Sequence, residues 1–266
     1  MGVGQSPTHP TIQKRSNQTR AMYHIEQYRT RWHDTDADRH VRPSQMLVYL
    51  QETANLHMIH AGQSLDELRD QQGLAFILTR MSVEFFGHVG AHEDIQVRTW
   101  ITHGKGCNYP RYFVMERPDG TPIAHACSYW VLLDLSTHLP CRADAYRYNY
   151  EPEEPLALVP PRRFTVPDTM TCVGTRKIVY SDLDYNAHMN NTRYPDMVCD
   201  FLPDGTVPYI RVMHFNYVKE SAAGATLRIM RGERDGADGG KIYLVQTYNE
   251  QDELCLDCEV HTHPIA

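Results

Sequence analysis

Three polar side chains of different chemistry stand at alternate positions in the C-terminal half of the chain. They are Asp184, Asn186 and His188, within the run SDLDYNAHMNN. If this segment is extended, alternate side chains point to the same side, and the acid, the amide and the imidazole converge on one small volume. A base beside an amide donor is what hydrolysis of an acyl group requires. The segment is therefore the first candidate for a reactive site.

The same pattern occurs earlier in the chain, as DTDADRH at 34–40. A constant offset of 148 residues relates the two copies and pairs His40 with His188. At the amide position the first copy has Asp38 instead of Asn186. A carboxylate there would repel a developing oxyanion, so the chemistry is predicted for the second copy.

The elements around the two copies repeat as well. Apolar residues at helical spacing follow each motif, and four alternating, strand-like runs follow each helix. The long strands of the two halves are related by a smaller offset of 132, so the second copy has shorter loops. Each half is predicted to be a strand, a helix and then four strands. The predicted helices lie at 44–62 and 194–201, and the predicted strands after them at 75–86, 95–103, 108–117, 123–135, 209–218, 226–234, 241–249 and 254–262.

A proline-rich segment separates the two halves. Proline has no amide donor for a ladder or a helix interior, so this segment is predicted to be an extended surface linker. Two units side by side can also pair the sheet edges that each would otherwise leave exposed. We expect a flexible leader, an N-terminal domain, the linker and a C-terminal domain at 1–21, 22–150, 151–168 and 169–266.

Composition excludes several classes of protein. The net charge of −7 argues against broad attraction to nucleic acid. No run approaches the roughly 18–20 apolar residues that span a bilayer. Seven scattered cysteines, an odd number, suit reduced thiols in the cytoplasm. The second motif begins like a calcium-binding loop, but it has Ala187 and Arg193 where such a loop has glycine and glutamate. A calcium site is therefore not expected there. No metal or cofactor is expected.

The second motif resembles the signature of the acyl-acyl carrier protein thioesterases of plants and bacteria, Trp-Ser-Asp-Leu-Asp-x-Asn-x-His-x-Asn-Asn-x-x-Tyr. The chain keeps every named position except the first, where it has Tyr180. The first half resembles the same family at LQETANLH (50–57) and GLAFILTRM (73–81). The resemblance covers about residues 24–262. It implies an α+β fold, the tandem (double) hotdog, in which a curved antiparallel β-sheet wraps a long helix in each half.

The resemblance implies that the catalytic aspartate, asparagine and histidine of the family correspond to Asp184, Asn186 and His188. It implies a fourth, Glu220, after the long strand of the second half. Where plant members have a cysteine next to this glutamate, the chain has Ser221. A serine hydroxyl without a base held against it is a poor nucleophile. We therefore expect attack on a thioester by water, activated by His188, Glu220 or Asp184.

The start of the second helix is predicted to lie beside this set. Proline is tolerated in the first turn of a helix, so Pro195 places the helix start near Asn191. Free backbone amides at that start would add positive potential close to His188. Asn190 and Asn191 are assigned to substrate binding.

The first half is predicted to hold the acyl chain. By the offset of 132, the position equivalent to Glu220 is His88, so the first copy also lacks the acid. The resemblance implies that the N-terminal hotdog lodges the chain. The apolar residues assigned to this pocket are Met46, Leu50, Phe76 and Leu78.

The predicted function is hydrolysis of fatty acyl-acyl carrier protein, which terminates fatty acid synthesis. The expected partner is acyl carrier protein, and the expected state is a monomer or a homodimer in the cytoplasm. Acyl-coenzyme A as the substrate, a hotdog hydratase or dehydratase, and a non-catalytic acyl-binding module remain alternatives. The hydratase signature, Asp-x-Asn-x-x-His, is one residue longer than the spacing found here.

Overall fold

A computed structural model describes residues 23–149 and 151–264. The predicted leader lies outside the described residues. In chain order the elements are β1 (Tyr23–Arg29), α1 (Pro43–His60), α2 (Leu65–Gln72), β2 (Leu74–Phe85), β3 (Asp94–Ile101), β4 (Asn108–Glu116), β5 (Pro122–Asp134), β6 (Leu139–Pro140), β7 (Thr171–Lys177), α3 (Tyr194–Asp200), β8 (Ile210–Tyr217), β9 (Thr226–Asp235), β10 (Lys241–Tyr248) and β11 (Leu254–Thr262).

The strands form one antiparallel sheet in the order β1-β3-β4-β5-β2-β8-β11-β10-β9-β7, with the short β6 paired to β5. The long strands β2 and β8 join the two halves edge to edge, as the argument from unpaired edges predicts. Ser82 pairs with His214, its own equivalent at the offset of 132. An approximate twofold axis therefore passes between these two residues. A hydrogen bond of 2.6 Å joins Ser82 Oγ and His214 Nδ1 on the axis.

The backbone of the two motifs repeats closely. The Asp36 amide donates to the carbonyl oxygen of His40 over 2.8 Å, and the residues 148 positions later make the same bond at 2.8 Å. Arg39 and Ala187, again equivalent, both have left-handed backbone, with φ of 65° and 62°. The repeat predicted from the sequence offset is thus present in the fold.

The helices of the two halves differ in length. α1 has 18 residues and α3 has 7, close to the helices predicted at 44–62 and 194–201. The long helix that the resemblance implies for each half is therefore present only in the first. The sequence Pro-Asp-Gly follows α3 closely, and Gly205 takes a left-handed φ of 75° in that turn. Leu50 of α1 and Met197 of α3 belong to one apolar core shared by both halves. None of the described helices is long and apolar enough to cross a bilayer.

The helix α2 was not anticipated from the apolar pattern. It is fixed at both ends by local chemistry. Ser64 Oγ accepts the Glu67 amide at 3.1 Å and the Glu67 carboxylate reaches back to the Ser64 amide, which makes a capping box. At the other end Gly73 adopts a left-handed φ of 66°. Leu68 anchors the helix in a second apolar cluster.

The proline-rich segment crosses the outer face of the sheet in extended form. Residues 151–168 contain no helix or strand, as predicted. The carbonyl oxygen of Glu154 accepts a bond from Trp100 Nε1 at 2.9 Å, and that of Pro160 accepts one from Arg80 at 2.9 Å. These contacts hold the segment against β3 and β2.

The histidine on the twofold axis predicts a specific pH dependence of stability. Burial, and next the neighbouring His261, lower the pKa of His214 to about 4. In the unfolded chain the pKa of this histidine is about 6.5. The stabilisation that the folded protein gains from neutral His214 is therefore fully present above pH ~6.5, and it is lost as the pH falls toward ~4. The loss between pH 7 and pH 5 is about 2 kcal/mol.

His214→Gln removes this titration while keeping a polar side chain opposite Ser82. Urea unfolding at pH 7 and pH 5 should show a smaller loss of stability for the variant than for the wild-type protein, by about 2 kcal/mol. The matched control is His33→Gln, at an exposed position. Equal losses in the variant and the wild type would contradict the assignment.

Candidate active site

Three of the four predicted catalytic residues of the second half line a cavity shared by the two halves. Its volume is about 280 Å³. Asn186, His188 and Glu220 form one side of it, with Tyr185 beside them. The opposite side comes from α2, the start of β2 and the end of β5. The residues on that side are Leu65, Leu68, Arg69, Ala75, Phe76, Ile77, Leu133, Leu135 and His138.

The imidazole of His188 and the carboxylate of Glu220 lie next to each other at the edge of this cavity. The distance between His188 Nδ1 and Glu220 Oε2 is 3.2 Å, and both side chains are partly exposed. The main chain holds them together, since His188 makes a β-bridge with Ala222. The Met189 amide also donates to the carbonyl oxygen of Ser221 at 2.8 Å. A carboxylate beside Nδ1 favours the imidazole tautomer that carries its proton on Nδ1, and in that tautomer Nε2 is the acceptor.

The segment that carries the motif is a turn, so the expectation of an extended segment is wrong. Asp184 Oδ1 accepts the amides of Asn186 at 2.8 Å and His188 at 3.3 Å. Aspartate commonly closes turns in this way. Ala187 completes the turn in left-handed backbone. Asn186 and His188 still reach one cavity, but Asp184 is not among its described walls.

A residue that the sequence argument missed contacts the candidate amide. Arg69 Nη1 donates a hydrogen bond to Asn186 Oδ1. The guanidinium carbon also lies 5.6 Å from the ring centroid of Tyr185, which is a cation–π distance. The signal for α2 was the sequence Ser64-x-x-Glu67 followed by Gly73, a capping box and a C-terminal glycine. Nothing in the sequence showed that this helix would face the other half.

Ser221 lies in the core. Its side chain is 2% exposed, and its Oγ accepts a hydrogen bond from the Tyr194 hydroxyl at 3.1 Å. No described histidine or carboxylate is hydrogen bonded to this hydroxyl. The serine is therefore held by a neutral phenol, and burial raises the pKa of that phenol to about 12.

The two asparagines at the helix start have different surroundings. Asn190 is an N-cap, and its Oδ1 accepts the Thr192 amide at 2.9 Å. The short 3₁₀ turn Asn191–Arg193 then leads into α3, which confirms the predicted helix start. Because the cap satisfies the Thr192 amide, that amide is not free for an oxyanion. Substrate binding by these asparagines stays a prediction.

The four apolar residues assigned to the acyl pocket fall in three places. Phe76 lines the cavity with His188. Leu50 and Leu78 line a smaller apolar cavity of about 20 Å³, which Asn191 also lines. Both of these cavities lie against β2.

Met46 instead lines the cavity of the first copy, related to the candidate site by the twofold axis. That cavity has a volume of about 200 Å³ and contains Asp36, His40 and His88. The rings of His40 and His88 are stacked, with their centroids 3.9 Å apart. Burial lowers the pKa of His88, and the neighbouring His40 lowers it further. Its chemistry thus differs from that of an imidazole–carboxylate pair.

A separate His–Glu–His group could hold a metal ion. The ligand atoms of His24, Glu26 and His60 lie within 4.8 Å of one another. His24 Nε2 and Glu26 Oε1 are already hydrogen bonded at 2.7 Å. The group shares no residue with the candidate cavity, so we assign it no role there.

Two family models match the chain, one in each half. Residues 21–147 match the acyl-ACP thioesterase N-terminal domain, and residues 171–260 match the acyl-ACP thioesterase C-terminal domain. A chloroplastic palmitoyl-acyl carrier protein thioesterase of Arabidopsis thaliana is 25% identical over 219 residues, 76% of this chain and 53% of that protein. A second, from Cuphea hookeriana, is 25% identical over 192 residues, 67% of this chain and 46% of that protein. The chain spans about half the length of these plant relatives.

Solved structures share the fold. An acyl-ACP thioesterase from Bacteroides thetaiotaomicron superposes with a TM-score of 0.80 at 23% identity, covering 90% of this chain and 97% of that one. The 12:0-ACP thioesterase from Umbellularia californica gives a TM-score of 0.71 at 18% identity, covering 92% and 95%. The predicted α+β double hotdog is thereby confirmed. With both domain matches in order along the chain, the protein belongs to the acyl-ACP thioesterase family.

Proposed function

We propose that the protein hydrolyses the thioester of fatty acyl-acyl carrier protein to give a fatty acid and the free carrier thiol. The observation that carries this proposal is the His188–Glu220 pair, 3.2 Å apart at the edge of a cavity with apolar walls. Such a site offers a base for water beside a place for an acyl chain. Two relatives of the chain, a palmitoyl-acyl carrier protein thioesterase and a 12:0-ACP thioesterase, support the same substrate class.

Activation of water falls to His188 in this proposal. Glu220 accepts the Nδ1 proton of the imidazole and so fixes the tautomer with a free Nε2. A water molecule at Nε2 gives up its proton as its oxygen bonds to the thioester carbon. The tetrahedral intermediate then breaks its carbon–sulfur bond, and the departing thiolate takes the proton back from the imidazolium.

Asn186 is the proposed donor to the oxyanion. It lines the same cavity as His188, and its Oδ1 is already engaged by Arg69. The amide therefore has its Nδ2 hydrogens left for the carbonyl oxygen. A neutral donor of this kind in a partly enclosed site stabilises the developing charge.

The acyl chain is proposed to lie against the first half. The wall that the first half contributes is apolar apart from Arg69 and His138. On β2, Phe76 and Ile77 of this wall are followed directly by Leu78, which lines the smaller cavity. Met46 is not part of this path because it lines the first-copy cavity. This placement supports the proposed division of the chain into an acyl-binding N-terminal hotdog and a catalytic C-terminal hotdog.

Acyl carrier protein is the proposed partner, with acyl-coenzyme A as the competing carrier. Both present the thioester on the same phosphopantetheine arm, so contacts outside that arm must distinguish the two carriers. A cytoplasmic location fits the cysteines, all seven of which are free. The joined halves already pair their sheet edges, so a monomer or a homodimer both suit the fold.

The first prediction separates the two copies of the motif. His188→Ala and Glu220→Ala should each lower turnover by roughly 10²-fold, the usual scale for an acid–base group. The matched controls are His40→Ala and His88→Ala, which should lose far less. The assay is thiol release from palmitoyl-acyl carrier protein and palmitoyl-coenzyme A. Full activity of both second-copy variants, with folding intact, would rule out the mechanism.

A second prediction concerns the role of Asp184. Its Oδ1 supports the turn, and an asparagine oxygen can accept the same two amides. Asp184→Asn should therefore keep turnover within about tenfold of the wild type, while Asp184→Ala should lose roughly 10²-fold. Equal loss in both variants would show that the negative charge itself takes part in the chemistry. Asp36→Asn and Asp36→Ala, in the equivalent turn, are the controls.

A third prediction concerns the buried serine. Ser221→Ala removes the hydroxyl that Tyr194 contacts, and one buried hydrogen bond contributes about 1 kcal/mol. Stability should fall by about that amount, and turnover by less than about tenfold. Mass spectrometry of enzyme quenched during turnover should show no acyl adduct. An adduct on Ser221 would replace water attack by a covalent mechanism.

A further inference from the structure

The contact between Arg69 and Asn186 joins a helix of the first half to the candidate oxyanion donor of the second. A guanidinium carries only donors, so the amide oxygen, and not its nitrogen, must face Arg69. The chemistry of the contact therefore determines the orientation of the Asn186 side-chain amide. The backbone of Asn186 is fixed separately, by the bond from its amide to Asp184 Oδ1 at 2.8 Å.

Arg69 itself is held in place from two sides. Its helix is closed by a capping box at one end and by Gly73 at the other, and Leu68 anchors it in the core at 2% exposure. Its guanidinium lies over Tyr185, the residue just before the amide it contacts. Tyr185 is 75% exposed, so contact with the cation gives this surface aromatic a structural use.

We propose that Arg69 is a positioning residue, which turns the Asn186 side chain so that its N–H groups point at the thioester carbonyl. The inference rests on the proposed function, because it assigns the orienting group of that same site. Asn186 is exposed, and without Arg69 its amide would rotate among several orientations. A donor that is not preorganised loses much of its effect on the transition state.

The kinetic test compares Arg69→Met and Arg69→Lys on two substrates, palmitoyl-acyl carrier protein and palmitoyl-pantetheine, which has no carrier protein. Arg69→Met should lower kcat about tenfold on both substrates, with KM within about twofold, since an oxyanion donor is worth up to 10²–10³-fold. Arg69→Lys keeps a donor and should recover part of the loss. In an Asn186→Ala background, Arg69→Met should cause no further loss.

Two kinetic results would overturn the proposal. One is a rise in KM confined to palmitoyl-acyl carrier protein, which would make Arg69 a docking residue for the carrier. The other is a full additional loss from Arg69→Met in the Asn186→Ala background. The control for loss of charge is Arg29→Met, whose side chain is exposed and lies on β1.

A second measurement does not depend on activity. The side-chain amide signal of Asn186 in a ¹H–¹⁵N spectrum is identified by its disappearance in Asn186→Ala. Arg69→Met should shift this signal, and Arg29→Met should not. An unmoved signal in Arg69→Met would refute the contact. If the wild-type protein cleaves neither substrate, the thioesterase proposal fails, and this spectrum alone decides whether Arg69 orients the amide.

Discussion

The pairing of β2 with β8 is the constraint on which the rest of the molecule depends. Each half on its own would expose the edge of a long strand, and the antiparallel pairing removes both edges at once. At its centre Ser82 is fully buried and bonds to an imidazole whose pKa is lowered to about 4. Burial of this neutral polar pair is tolerated because the two groups satisfy each other.

The same register assembles the candidate site. Arg80 lies opposite Asn216 near the C-terminal end of β8. Because the two strands are antiparallel, the start of β2 lies near the segment that follows β8. Beyond this pairing, Phe76 of β2 and Glu220, which follows β8, line one cavity. The candidate catalytic groups therefore come from one half and the apolar wall from the other. Neither half alone contains the full set.

Much of this could be predicted from the sequence, because it depends on period and repetition. The offsets of 148 and 132 identified equivalent residues, the alternating runs identified the strands, and Pro195 located a helix start. The turn at Asp184 was misread, since an aspartate that bonds nearby amides leaves no trace in a period-two pattern. The role of Arg69 was out of reach, because a contact over 117 positions depends on how two halves dock.

The difference between the two offsets explains why one copy of the motif has a more complete site. The offsets of 148 and 132 differ by 16, so the segment between the motif and the long strand is 16 residues longer in the first half. The additional residues form a longer α1 and the helix α2. The second half has the 7-residue α3 and the 3₁₀ turn Val207–Tyr209 instead. Because each cavity takes its far wall from the opposite half, the motif of the second half faces α2 and its arginine. The motif of the first half faces Val207 and Pro208 of the short turn, together with His263, and no arginine is among the described residues that line its cavity. Extra length in one half therefore completes the site of the other.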